Sequence, residues 1–184
     1  MVAFPQPLAR LASAAAIGLC LALVAGCEDR QPSAKQVLAE ADKLAKPLPG
    51  LYRSTTSLTS FDLTGADPRT EDMMRDKFAQ VMPQRREFCL TPAAAARGFQ
   101  DMLTQSQQGD CRIERFVTDR SHLSARMSCH VAAKLDSTIS VEGTGAPESS
   151  HVDLTIVQTG PSVPGGSETI GLKVDNVREG ECPQ

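Results

Sequence analysis

The chain has no tryptophan, one tyrosine (Tyr52) and six phenylalanines in 184 residues. Sugar sites stack their ligands on aromatic faces, so this scarcity argues against a lectin-like role. Histidine is also sparse: His122, His130 and His151 are the three. No C-x-x-C or H-E-x-x-H spacing exists, so these histidines read as surface side chains and no metal or other cofactor is expected. A G-x-S-x-G elbow is absent too, and no serine sits at a strained strand–helix turn, so the chain is not expected to be an enzyme. The glycine-rich stretch Gly160 to Gly166 lacks the Lys-Ser/Thr of a phosphate loop and reads as a hairpin connection. There is no excess of positive charge. The basic cluster Arg85-Arg86, with Arg75 and Lys77 nearby, is interleaved with acids and reads as a solvated face. No nucleic-acid partner is therefore expected.

What the N-terminus does have is an apolar run, Leu11 to Ala25, preceded by Arg10 and closed by Leu23-Val24-Ala25-Gly26-Cys27. The run suits a signal-peptide core and is short for a spanning helix. Leu-Val-Ala-Gly-Cys is a lipobox pattern. It predicts cleavage before Cys27, attachment of a diacylglyceryl (palmitate-type) lipid to its sulfur, and a membrane anchor facing the periplasm. Cys20 falls inside the discarded segment. Glu28, rather than Asp, follows the lipidated cysteine, which points to the outer membrane rather than the inner one. The expected organisation is a signal peptide over 1–26, a lipidated N-terminus with tether and short helix over 27–48, and a β domain over 49–184. The mature part has 158 residues with 18 basic and 22 acidic side chains, net charge −4, enough length for one domain with a real core.

Four further cysteines remain: Cys89, Cys111, Cys129 and Cys182. In an exported chain an even set reads as two disulfides. Period-2 alternation marks the second half as β. In His122 to Val131 the odd positions Leu123, Ala125, Met127, Cys129 and Val131 point one way and Ser124, Arg126, Ser128 and His130 the other. Leu135 to Thr144, Val152 to Thr159 and Thr169 to Val177 repeat the pattern, and Arg112 to Thr118 precedes them. If Asp119 to Ser121 is a three-residue hairpin loop, Thr118 opposes His122 and residues whose numbers add to 240 face one another. Cys111 then faces Cys129, Ile113 faces Met127, and Val117 faces Leu123. Opposed Cα atoms in such a ladder lie within disulfide reach. Cys89–Cys182 follows by elimination.

In the first half, Ser33 to Lys46 has helical spacing, with Val37, Leu38, Ala41, Leu44 and Ala45 on one face, Ser33 as cap and Pro47 as stop. Leu51 to Leu58 is extended and Phe61 to Asp67 reads as a loop. Thr70 to Met82 is predicted helical with Met73, Met74, Phe78 and Val81 along its core side, ended by Pro83. Arg85 to Leu90 is a short strand. Thr91-Pro92 opens a helix expected to run past Phe99, Met102 and Leu103 to Gln107, with Gly109 ending it.

The predicted fold is mainly β (α+β): an antiparallel meander curved into an open sheet or half-barrel, with two or three flanking helices and two disulfides. Leu123, Met127, Ile139, Val141, Leu154 and Leu172 would line an apolar pocket on the concave face, or form the core.

Several blocks, in order, carry a family likeness. Pro49-Gly50-Leu51-Tyr52 opens a strand, and Cys89-Leu90-Thr91-Pro92 precedes a helix. Cys111, Ser128-Cys129, Glu142-Gly143-Thr144-Gly145 and Gly180-Glu181-Cys182 follow. Over roughly residues 49–182 the chain resembles the domain-of-unknown-function 3617 family of Gram-negative envelope proteins, many of them lipoproteins. It departs from that pattern at Tyr52, where Trp is common, and in a weak loop before the last strand. The resemblance implies a fold and an envelope location, and no activity. The expected role is non-enzymatic, structural or interactive, with a protein partner in the envelope. The alternative is a binder of an apolar or lipidic ligand in the concavity of the sheet.

Overall fold

Strand patterning dominates the second half of the sequence, and in the computed structural model it yields one seven-stranded antiparallel sheet. The structure describes residues 31–100, 103–104, 110–131 and 134–183. The signal segment, Cys20, Cys27, Glu28, Met102, Gln107 and Gly109 lie outside them. The elements are α1 (Ala34–Ala41), β1 (Gly50–Thr64), α2 (Pro68–Val81), β2 (Gln84–Leu90), α3 (Pro92–Arg97), β3 (Cys111–Thr118), β4 (His122–Val131), β5 (Leu135–Ala146), β6 (Ser149–Thr159) and β7 (Ser167–Gly180). Strand order is β2-β1-β7-β6-β5-β4-β3. β3 to β7 form a meander, and β1 returns to pair with the last strand and carries β2 at the edge. This is the mainly β, open antiparallel sheet with flanking helices read from the sequence.

Registers show why one face is apolar. Directly opposed residues share a face. Ile113, Met127, Ile139, Ile156, Ile170 and Phe61 oppose one another in turn across six strands. So do Phe116, Ala125, Val141, Leu154, Leu172 and Leu58. Two ladders without a polar member must be kept from water, and two groups of elements cover them. Val37 and Ala41 of α1, with Leu103, pack on Ile113, Phe116 and Ala125. Met74 and Phe78 of α2 pack around Phe61, Leu63, Ile170 and Val163, the last carried in by the β6–β7 connection.

Local signals set the helix starts. Ser33 caps α1 in a capping box with Gln36. Thr91 accepts from the Ala94 amide and Pro92 opens α3. Asp67-Pro68 starts α2, two residues before the predicted Thr70: the Asp67 carboxylate accepts from the amides of Arg69 and Thr70. α2 ends at Val81, just before Pro83, as expected, while the other two ends depart further. α1 stops at Ala41 rather than Lys46, because the Ala45 amide turns away to the Arg120 carbonyl at 2.9 Å. α3 stops at Arg97, where Gly98 takes φ 58°, and beyond this break Gln100, Leu103 and Thr104 are helical again.

Phe61 to Thr64 is not a loop but the second half of β1. A bulge between Leu58 and Ser60 shifts the register by one and turns Phe61 and Leu63 to the covered face. Gly171 opposes Ser60, and a Cβ there would collide with the hydroxyls of Ser60 and Thr59. On α2 the core side is narrower than predicted. Met73 and Val81 are 50% and 56% exposed, since only the line through Met74 and Phe78 touches the sheet.

Both disulfides are present, Cys111–Cys129 and Cys89–Cys182. The register behind the first holds at the cysteines and fails beyond them. Cys111 opposes Cys129 and Ile113 opposes Met127, but Val117 opposes Ser124, not Leu123. The hairpin has a tighter turn than assumed, with Asp119 N–H bonded to the His122 carbonyl, and a bulge between Ile113 and Arg115 makes up the difference. Val117 is consequently turned outward and 49% exposed, while Thr118 is buried. The second disulfide crosses the sheet edge: Cys89 opposes Leu51, which opposes Gly180, and Cys182 follows two residues on.

Candidate functional site

The opposite face of the sheet is polar, as alternation requires. Two of its rows meet the hairpin ends. Ser124, Glu142, Asp153 and Lys173 oppose one another across β4 to β7, and so do His122, Thr144, His151 and Asp175. Two shallow, solvent-open depressions of about 380 Å³ and 320 Å³ lie here and share Thr144 and His151 in their walls.

His151 is the centre of the group. Its Nδ1 lies 2.7 Å from Asp175 Oδ1 and its Nε2 3.0 Å from Asp153 Oδ2. The side chain is 39% exposed. A neutral imidazole has one N–H, so two carboxylate acceptors call for the protonated ring. The carboxylate of Asp175, and then that of Asp153, holds the His151 pKa above its ordinary value. The same contact, helped by Lys173 Nζ at 3.3 Å, pulls the Asp175 carboxyl below its ordinary range. Ser124 donates to Glu142 at 2.7 Å, which ties the adjacent strand into the group.

At the neighbouring turn, Asp119 accepts from the amides of Ser121 (2.8 Å) and His122 (2.7 Å). Those two bonds lower its pKa to about 2. Ser121 Oγ and the Asp119 carboxylate both approach the same His122 nitrogen, Nδ1, at 3.0 and 3.2 Å. A general base needs the acid on one nitrogen and the nucleophile on the other, so this trio is a capped turn and not a relay. His151 likewise has both nitrogens taken by acids. His130 contacts Asp136 at 2.7 Å on an exposed part of the same face. Among the described residues, no group of three or more His, Cys, Asp and Glu side chains could hold a metal ion. Nor is any described helix long and apolar enough to cross a membrane.

The six residues expected around an apolar pocket do share one face, and four of them are divided between the two packed clusters. Leu123, Met127 and Val141 lie under α1, and Leu172 lies with the α2 group. Ile139 and Leu154 stand between, half-buried and in neither cluster. Leu123 lines the larger depression, and the other five line neither. The basic cluster is dispersed: Arg75 is held by Glu71 and Asp72 on α2, while Arg85 lies on β2. The His151 network itself was missed from sequence. Its signal was two acids, Asp153 and Asp175, at polar positions of strands that pair with the histidine.

The blocks that carried the family likeness fall at structural joints. Gly50-Leu51-Tyr52 opens β1, and Tyr52 is 4% exposed. Its hydroxyl shares its proton between the carbonyls of Leu48 (2.8 Å) and Pro147 (3.0 Å), and its ring stacks on Phe88. Cys89 and Cys182 join, and Thr91 caps the next helix. A family model described as "Protein of unknown function (DUF3617)" matches residues 47–182. The chain belongs to this family. No curated protein and no solved structure matches it. In this DUF3617 domain, Tyr52 does the work of a buried aromatic with a polar handle: it fills the end of the sheet and bonds the β5–β6 turn.

Proposed function

We propose that this DUF3617 protein is a lipid-anchored, non-enzymatic component of the bacterial envelope, held by Cys27 and acting through structure or interaction. The observation that carries this reading is the division of the cysteines. Four are bridged in pairs, which suits an oxidising compartment, and Cys27 of the lipobox stands apart from them. Glu28 after Cys27 supports delivery to the outer membrane, with the domain facing the periplasm. A non-enzymatic role is supported by His151, both of whose ring nitrogens are held by strand carboxylates, and by His122, whose Nδ1 takes both the turn carboxylate and the Ser121 hydroxyl. A protein partner, rather than a lipidic cargo, is supported by the packing of four of the six candidate pocket residues under helices.

Replacing Cys27 with Ser tests the anchor. The expected result is loss of labelled palmitate incorporation and release from the membrane fraction. Incorporation that persists in the variant overturns the reading. Lipid extraction of the native protein followed by mass spectrometry tests the cargo alternative: a stoichiometric lipid beyond the covalent anchor would replace the partner reading with the binder.

A further inference from the structure

We propose that His151 is a pH-operated clasp on the open face of the sheet. Protonated, it ties Asp175 on β7 to Asp153 on β6; neutral, it must release one of them. Both ring nitrogens are within hydrogen-bond distance of a carboxylate, at 2.7 and 3.0 Å. Loss of one proton leaves one N–H and therefore one bond. The shorter contact, across the strands to Asp175, is the one retained, and Asp153 is let go.

Release has a consequence because of what surrounds Asp153. On β5, Glu142 opposes it directly, and like charges in that relation destabilise a strand pair. On β7, Lys173 opposes it from the other side, but its ammonium lies 3.3 Å from Asp175. Asp119 and His122, at the β3–β4 turn, line the same depression as Glu142 and His151. Beyond β7, Thr55 of β1 opposes Asp175, and Arg53 opposes Val177 and pairs with Glu179 at 2.5 Å. No cation from β1 therefore replaces the imidazolium. Opening the clasp sets Asp153 against Glu142 and loosens the β5–β6 hairpin from Glu142 to Asp153. Closing it at lower pH returns Asp153 to the imidazolium, which Asp175 holds from β7, and relieves the hairpin. The half-exposed ring exchanges its proton directly with solvent, so the state of the hairpin follows the pH outside the domain.

The test is an NMR titration of the whole protein with labelled imidazole nitrogens, paired with amide exchange. Both His151 nitrogens should be protonated at pH 6, and the ring should titrate above the ordinary histidine value. Asp153→Asn should lower the midpoint. Protection factors of hairpin amides between Glu142 and Asp153 should fall about two- to fivefold from the acid to the alkaline limb. In His151→Gln the change should vanish. A ring that titrates at or below the ordinary value, or the same loss of protection in His151→Gln, overturns the clasp. A midpoint unmoved by Asp153→Asn overturns the role of Asp153.

Discussion

The two faces of this sheet are built from the same strands, residue by residue, yet they behave as different materials. On the covered face, every member of the two central ladders is apolar, and α1, α2 and the β6–β7 connection cover all but Ile139 and Leu154, which stand half-buried between them. On the open face, the equivalent rows hold Ser, Thr, His and paired charges, and their contacts are single hydrogen bonds at half-exposed or exposed positions. Stability therefore belongs to one face and responsiveness to the other. Each face also carries one disulfide. Cys111–Cys129 lies in line with Ile113 and Met127 on the covered side, and Cys89–Cys182 lies at the edge of the open side.

The disulfides break the comparison most severely. Cys89–Cys182 spans 93 residues, and its replacement by two serines should cost about 4–5 kcal/mol in the chain-entropy model. The 18-residue closure of Cys111–Cys129 should cost about 3 kcal/mol. Urea unfolding of the two double variants measures both. If their order is reversed, burial of Cys129 outweighs loop length, and the covered face dominates even the crosslinks.

Next come the faces themselves. Leu63→Ala removes a side chain that is 2% exposed in the α2 cluster and should cost about 2–4 kcal/mol. Thr155→Ala, on the exposed polar face, should stay within about 0.5 kcal/mol. Comparable losses at the two sites would remove the distinction. Tyr52→Phe sits between them in size. It takes the hydroxyl donor from the Leu48 carbonyl, while the Pro147 carbonyl keeps the Leu48 N–H at 2.8 Å, and should cost about 1–2 kcal/mol by the same measurement.

The smallest expected effect comes from an acid on the wrong face. Glu168 opposes Leu63 and Gln158 in register, on the covered side, and burial raises its pKa. A carboxylate whose folded pKa is raised destabilises the fold above that pKa and costs nothing below its unfolded value. Glu168→Gln should therefore raise Tm slightly at pH 7, on the order of 1–2 °C. The gain should disappear as pH falls below the ordinary glutamate range. A variant that melts at or below the parent at pH 7 would show that Glu168 has found a favourable place.

Much of the fold was legible because alternation is local. His122 to Val131 shows its two faces in ten letters, and Ser33 and Thr91 announce their helices by cap chemistry alone. The Cys111–Cys129 pairing was legible as well, although through a loop length that the structure replaces. The tighter turn and the bulge before Arg115 offset each other between the cysteines and the hairpin end. The bulges at Leu58/Ser60 and Ile113/Arg115 were not legible, since the residues around them carry no local mark of an extra position. Phe61 thus read as loop, and Val117 as paired with Leu123. The His151 site was hidden for the same reason: Asp175 is far away in the chain and reaches the ring only through the β6–β7 register.

Composition and patterning by themselves determine a mainly β, disulfide-bonded domain with one apolar face, because a strand shows its buried side every second residue. They also determine where α1 and α3 begin, because caps act over three residues. Tertiary structure alone decided where α1 stops, which strands are neighbours and which acids meet His151. Those outcomes depend on contacts between segments far apart in sequence. α1 ends where Ala45 finds Arg120, β1 lies beside β7 rather than at the edge, and the clasp exists because Asp153 and Asp175 arrive on both sides of one imidazole.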